Sequence, residues 1–139
     1  QNVASPDDSI LGVTSAATIR PFIYFFAIGP EAAPADNSLP WYLARHTAAG
    51  TSTAVTPQGL DPGDPAALAS SGENHTIEPT FTANAIVFRL GLNQRASYSW
   101  WADPFGGLQM PATAANGLTA YATHASVTAL FNMVIHYSE

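Results

Sequence analysis

Proline and glycine interrupt this chain at short intervals, and this spacing constrains the fold more than any other feature. The 139 residues contain 11 prolines and 10 glycines. Between them lie segments of about six to ten residues, which suits strands and leaves no room for long helices. We therefore predict an all-β fold, an antiparallel β-sandwich of jelly-roll-like architecture, with about seven to nine strands and long loops rich in proline and glycine.

The chain length fits one domain, residues 1–139, with one core and an extended N-terminal arm over about residues 1–10. Alternating apolar and polar side chains predict strands over residues 10–19 and 127–138. Residues 86–92 and 95–102 are expected to form a hairpin around Asn93 and Gln94. Residues 41–46 fit either a strand or a short helix. Residues 50–79 read mostly as loop, with a short strand at 51–56.

One predicted strand, residues 21–28, is apolar on both of its alternating faces. One face carries Phe22, Tyr24 and Phe26, and the other carries Ile23, Phe25 and Ala27. Only one of them can enter the domain's own core. The other needs a second sheet, a covering loop or a neighbouring subunit, and the sequence leaves these alternatives open.

Charged side chains are scarce, and this limits the partners that the chain can bind. They make up 10% of the residues, against about 25% in an average soluble domain. The formal net charge is -6, and the only cations besides histidine are four arginines, at positions 20, 45, 89 and 95. Because these arginines are scattered in the sequence, we expect no basic patch and no nucleic-acid or membrane partner. A neutral surface is better suited to burial in an assembly.

No set of residues indicates an enzyme, a cofactor or a metal site. The chain has no cysteine, no Gly-x-Ser-x-Gly motif and no glycine-rich phosphate loop. The histidines at 46, 75, 124 and 136 lack metal-ligand spacing. Residues 61–64, Asp-Pro-Gly-Asp, are interpreted as a turn and not as a calcium loop.

Exposed aromatic residues and loop residues are the best candidates for contacts with a partner. Trp100 and Trp101 are adjacent on a strand, so they must point to opposite faces. With Trp41 and Phe105 they fit either a platform for sugar rings or anchors in a core or interface. The predicted interface residues are Ile10, Phe22, Tyr24, Phe25, Leu60, Pro62, Trp101 and Phe105.

Four segments and the closing strand carry a resemblance. Residues 50–58, 60–67, 92–96 and 111–117, with a last strand ending in an acidic residue, resemble small virion structural proteins of decoration type from tailed phages and prophages. The resemblance implies a non-enzymatic capsid decoration or cement protein on the virion surface. Its partners would be itself, as a small homo-oligomer such as a trimer, and a major capsid protein. Many weak contacts, repeated over the shell, would stabilise the capsid.

Two other functions fit the same composition. One is a receptor- or carbohydrate-binding domain of a phage tail fibre or a secreted adhesin. The other is a subunit of an extracellular filament.

Overall fold

Two antiparallel sheets pack face to face in the computed structural model of the chain, which describes residues 2–3, 7–104, 106–123 and 129–139. These residues contain no helix, and hence none long and apolar enough to cross a membrane. Nine of their eleven strands are four residues or longer, and the predicted all-β sandwich is confirmed. The strands are β1 (Asn2–Val3), β2 (Asp7–Thr14), β3 (Phe22–Pro30), β4 (Ser38–Ala48), β5 (Thr51–Val55), β6 (Ser70–Ile77), β7 (Thr80–Asn93), β8 (Tyr98–Trp101), β9 (Leu108–Gln109), β10 (Gly117–Thr123) and β11 (Ala129–Ser138).

The order of the strands shows that most neighbours in space are distant in sequence. The five-stranded sheet has the order β1-β11-β3-β8, and β9 also pairs with β3. The six-stranded sheet has the order β5-β6-β2-β10-β4-β7. Within it, β10 lies between β2 and β4, so that Leu118 is opposite both Val13 and Arg45.

The core lies between the two sheets and consists of two neighbouring clusters. One cluster surrounds Trp41 and Phe131, whose rings pack edge to face with centroids 4.9 Å apart. The other includes Ile23 and Phe26 from the five-stranded sheet and Leu118 from the six-stranded sheet. Burying side chains of this size contributes about 1.5–3 kcal/mol each, so the facing sheets hold the domain together.

Two expectations about the local pairing of strands were wrong. Residues 86–102 do not form a hairpin, because β7 pairs with β4 in one sheet and β8 pairs with β3 in the other. The chain crosses between the sheets at Asn93, whose backbone carbonyl accepts a hydrogen bond from the amide of Ala96. The glycine-containing segment around Gly72 is a strand, β6, and not a loop, since β2 and β5 pair with it on both sides.

The segment between β5 and β6, residues 56–69, is the long loop of the sandwich. Asp61 forms the predicted turn, in which its carboxylate accepts a hydrogen bond from the amide of Gly63 at 2.8 Å. The far end of the loop is fixed by the side chain of Glu139, which accepts hydrogen bonds from the amides of Leu68 and Ala69 at 2.9 and 2.7 Å. The end of β11 therefore positions this loop.

A buried histidine lies within the six-stranded sheet. The His46 side chain is 2% exposed, and its two ring nitrogens lie 3.2 Å from the hydroxyl of Thr14 and 2.9 Å from that of Thr119. Burial, with a smaller contribution from nearby His75, lowers the pKa of His46 to about 4. Its ring is therefore neutral at pH 7. Gly117 lies against this ring, and a Cβ atom there would be 2.6 Å from it.

Candidate interaction surface

A continuous row of aromatic rings lies on the outer face of the five-stranded sheet. Trp101 contacts Phe25, with ring centroids 4.2 Å apart, and Phe25 contacts His136 at 4.9 Å. His136 contacts Tyr24 at 6.0 Å, and Tyr24 contacts Phe22 at 6.3 Å. These five side chains form what we call the aromatic row. Three separate strands contribute to it, so it exists only in the folded chain.

A β-bulge in β3 determines which side chains of this strand belong to the aromatic row. Opposite β11, Phe25 pairs with His136 while Ile23 pairs with Tyr137, so Tyr24 is an extra residue in β3. The bulge shifts the alternation by one position, and a bulge is a common means of redirecting side chains in a sheet. Ile23 and Phe26 consequently enter the core, while Phe25 is on the outer face. The predicted grouping of Phe22 with Phe26, and of Ile23 with Phe25, was wrong for this reason.

The two adjacent tryptophans of β8 show the difference between the faces. Trp100 packs into the core, stacked on Phe26 with centroids 5.4 Å apart. Trp101 points away from it and is 65% exposed. The prediction that these two side chains occupy opposite faces is confirmed.

The outer face is apolar beyond the row itself. Leu130 and Val134 of β11 are exposed, and they share the outward phase of that strand with His136. None of the five strands of this sheet contains an aspartate, glutamate, lysine or arginine. Nothing in these strands therefore supplies the charge that usually keeps such a face in water.

Within the described residues, one edge of the same sheet lacks a partner strand over most of its length. Beyond β3, the described part of the chain pairs β11 only with β1, at Ala129 and Leu130. A groove of about 980 Å³ runs beside the rest of β11, between it and the long loop of residues 56–69. Tyr24 lines this groove, as does the exposed loop residue Leu60. The groove and the aromatic row are therefore contiguous.

The structure brings together four of the predicted interface residues, namely Phe22, Tyr24, Phe25 and Trp101, in the row. Leu60 and Pro62 lie on the neighbouring exposed loop. Ile10 is a correction: it is 3% exposed, because β2 is an internal strand of its sheet and Ile10 faces the core. Phe105 lies outside the described residues.

Other surface residues of this site were missed. His136, Val134 and Leu130 were not among the predicted contacts, although their alternate spacing in β11 places them all on the face opposite the core. Leu130 and Val134 are apolar although they alternate with the core residues of this strand. Apolar side chains at such positions were the sequence pattern that could have indicated a contact surface.

Two of the described histidines, His46 and His136, lie in separate parts of the sandwich. His46 is buried in one sheet, while His136 lies on the outer face of the other. Across the described ranges, no three residues of the types His, Asp and Glu gather as a possible metal site. The fourth histidine of the sequence, His124, lies outside those ranges.

The arginines are less scattered in space than in sequence. Arg20 and Arg45, which are 25 positions apart in the sequence, line a common pocket. Arg89 lies over the ring of Tyr42, with its guanidinium carbon 5.0 Å from the centroid.

Comparison with known proteins identifies no relative for this sandwich. The sequence matches no protein-family model, and neither a curated protein nor a solved structure shows significant similarity to it. The resemblance to phage virion proteins thus rests on the sequence segments that carry it.

Proposed function

We propose that this chain is a non-enzymatic structural protein of a phage virion, a decoration protein that binds the capsid surface as a small homo-oligomer. The observation that supports this proposal is the aromatic row on a sheet without charged residues. Clustered aromatic side chains with little charge nearby are typical of the central part of protein interfaces. The assignment to a virion comes from the resemblance of the sequence segments.

The chemistry of the row favours association with another protein surface. Trp101 contacts Phe25 and is still 65% exposed, so a partner can cover a large part of the indole ring. Burial of apolar surface contributes about 25 cal/mol for each Å² removed from water. A stable interface buries about 1,200–2,000 Å² in total. The neighbouring exposed residues Leu130 and Val134 share the face of the row and would add to the buried area.

The open edge of β11 supplies a second element of the proposed interface. An unpaired edge exposes backbone N–H and C=O groups, which proteins usually protect with charges or proline. Strand β11 contains neither. A neighbouring strand that pairs with this edge would extend the sheet and the apolar face together.

Immunogold labelling of virions tests the most specific part of the proposal, which is the location of this chain on the capsid surface. Antibodies against this chain should label the capsid surface of intact particles. Particles that carry Trp101→Ser should lose most of the label, because the row loses its largest exposed ring. The matched control is Ile77→Ser, which removes an apolar side chain of similar exposure, 63%, from the six-stranded sheet. Label confined to tails, or no label on wild-type particles, would contradict the proposal.

Carbohydrate binding is the second candidate, and the exposure of Trp101 favours it. A solvent-exposed indole on a flat sheet face can stack against a sugar ring as well as against a protein. The two functions predict different oligomeric states for the purified protein. Glycan-array binding that disappears in Trp101→Ser, by a chain that stays monomeric, would favour the second candidate over capsid decoration.

A further inference from the structure

We propose that a small pocket between Arg20, Arg45 and Gln109 binds an oxyanion, either a phosphate or a carboxylate group. The pocket has a volume of about 330 Å³ and lies near the end of β4, where Gln109 of β9 pairs with Phe22 at the end of the aromatic row. Binding of an anion there does not depend on the function proposed for that row.

Charge is the first argument for an anion. The chain has a formal net charge of -6 and four arginines, yet two of those arginines line this one pocket. Its described lining includes no aspartate or glutamate. Two guanidinium groups that share a pocket repel each other, and a bound anion removes that repulsion. An acidic protein that gathers half its arginines in one place thus provides a site of opposite sign to its overall charge.

The positioning of the two guanidinium groups is the second argument. Both donate hydrogen bonds to the same residue: Arg45 to the backbone carbonyl of Gln109 at 2.8 Å, and Arg20 to its side-chain oxygen at 3.4 Å. Each of these bonds uses one of the five N–H donors of a guanidinium group. The remaining donors form a planar fork that fits the oxygens of carboxylate and phosphate groups.

Polar and rigid neighbours complete the pocket. Asn116 and Thr82 also line the pocket, and side-chain amide and hydroxyl groups can donate hydrogen bonds to an oxyanion. Buried His46 forms part of the wall, and because its ring is neutral at pH 7 the positive charge comes from the arginines. Gly117 also lines the pocket, and because it has no side chain its backbone can lie against the His46 ring. The volume admits one small anion or the end of an acidic side chain.

Calorimetric titration at constant ionic strength and pH 7 tests the site with inorganic phosphate and with acetate. Saturable binding of either anion, at one per chain, is the expected result. Arg45→Gln should raise the dissociation constant about tenfold or more, since a charge-assisted hydrogen bond is lost. Arg20→Gln, at an exposed position, should act in the same direction and provides a second variant that keeps the fold.

The matched control is Arg95→Gln, which removes the same charge from an exposed arginine that hydrogen-bonds to the carbonyl of Pro34. It should change the dissociation constant less than about twofold, because salt screens distant charges. In NMR spectra, phosphate should shift the Nε–H signals of Arg20 and Arg45 but not that of Arg95. Preference for phosphate or for acetate identifies which oxyanion the pocket accepts. Equal weakening by Arg45→Gln and Arg95→Gln, or no saturable binding of either anion, would overturn the proposal.

Discussion

The two sheets of this sandwich differ in how they meet solvent. The six-stranded sheet contains five charged residues in its strands, which are Asp7, Asp8, Arg45, Glu73 and Arg89. The five-stranded sheet contains none. Both contribute to one core, so the difference concerns their outer faces and edges. Among the strands, charged residues are thus confined to one of the two sheets.

The outer faces show the same difference at the level of side chains. On the six-stranded sheet, Tyr121 packs against Tyr42 and Phe81, with ring centroids 5.1 and 4.5 Å away, and Arg89 covers Tyr42. Hydroxyl and guanidinium groups give that cluster contacts with water. In the aromatic row the polar groups are the Tyr24 hydroxyl and the His136 ring, and its most exposed member, Trp101, has only one polar side-chain atom. Aromatic clusters thus occur on both faces, and only one of them is left without charge.

The largest expected effect is on the free energy of unfolding. It distinguishes the core residue Phe26 from its neighbour in β3, the aromatic-row residue Phe25. Phe26→Ala removes a ring that is 4% exposed and should lower the free energy of unfolding by about 3–5 kcal/mol. Phe25→Ala removes an outer ring and should lower it by about 1 kcal/mol, because little of the core is disturbed. Chemical denaturation at low protein concentration measures both values. Equal losses would mean that the row is part of the fold's own core.

The next effect is a pH dependence located in the six-stranded sheet. Burial lowers the pKa of His46 from 6.5 to about 4, so the unfolded chain takes up a proton at a higher pH than the folded chain does. Stability is therefore complete above pH 6.5 and falls as the pH drops towards 4, by about 3 kcal/mol over the whole window. Denaturation curves between pH 7 and pH 4 should show this loss.

Two variants identify the group responsible. His46→Gln should be less stable at pH 7, but its stability should fall less between pH 7 and pH 4 than that of the wild type, because the titrating ring is absent. His136→Gln changes a histidine of the aromatic row and should keep the steeper fall. An identical pH profile in His46→Gln and the wild type would show that other groups cause the loss.

Much of the sandwich could be predicted because short patterns in the sequence indicate its strands. The alternation in residues 127–138 predicted a strand with one face in the core, and Phe131 is indeed buried. The adjacency of Trp100 and Trp101 required opposite faces, and that geometry needs no knowledge of the rest of the chain. Residues 41–46 were ambiguous by period, and the pairing of β4 with β7 and β10 decides in favour of a strand.

The remaining features depend on contacts between distant parts of the sequence. The bulge at Tyr24 is defined by the register of β3 against β11, which lies more than 100 residues later in the sequence. No local sequence pattern indicates it. The turn at Asn93 resembled a hairpin because it joins two alternating segments, yet these segments belong to different sheets. Arg20 and Arg45 line one pocket, and both hydrogen-bond to Gln109, which lies more than 60 residues later in the sequence. Pairings of this kind are fixed by the packing of the whole domain.

The central claim is that the aromatic row is covered by another copy of the chain or by another protein of the assembly. Light scattering over a range of protein concentrations tests self-association most directly. The account predicts an oligomer for the wild type and for Ile77→Ser. Trp101→Ser should dissociate to the 14.6 kDa single chain, with a dissociation constant raised about 30-fold by the loss of a central aromatic contact. A wild-type protein that has the mass of one chain at every concentration would contradict self-association through the row.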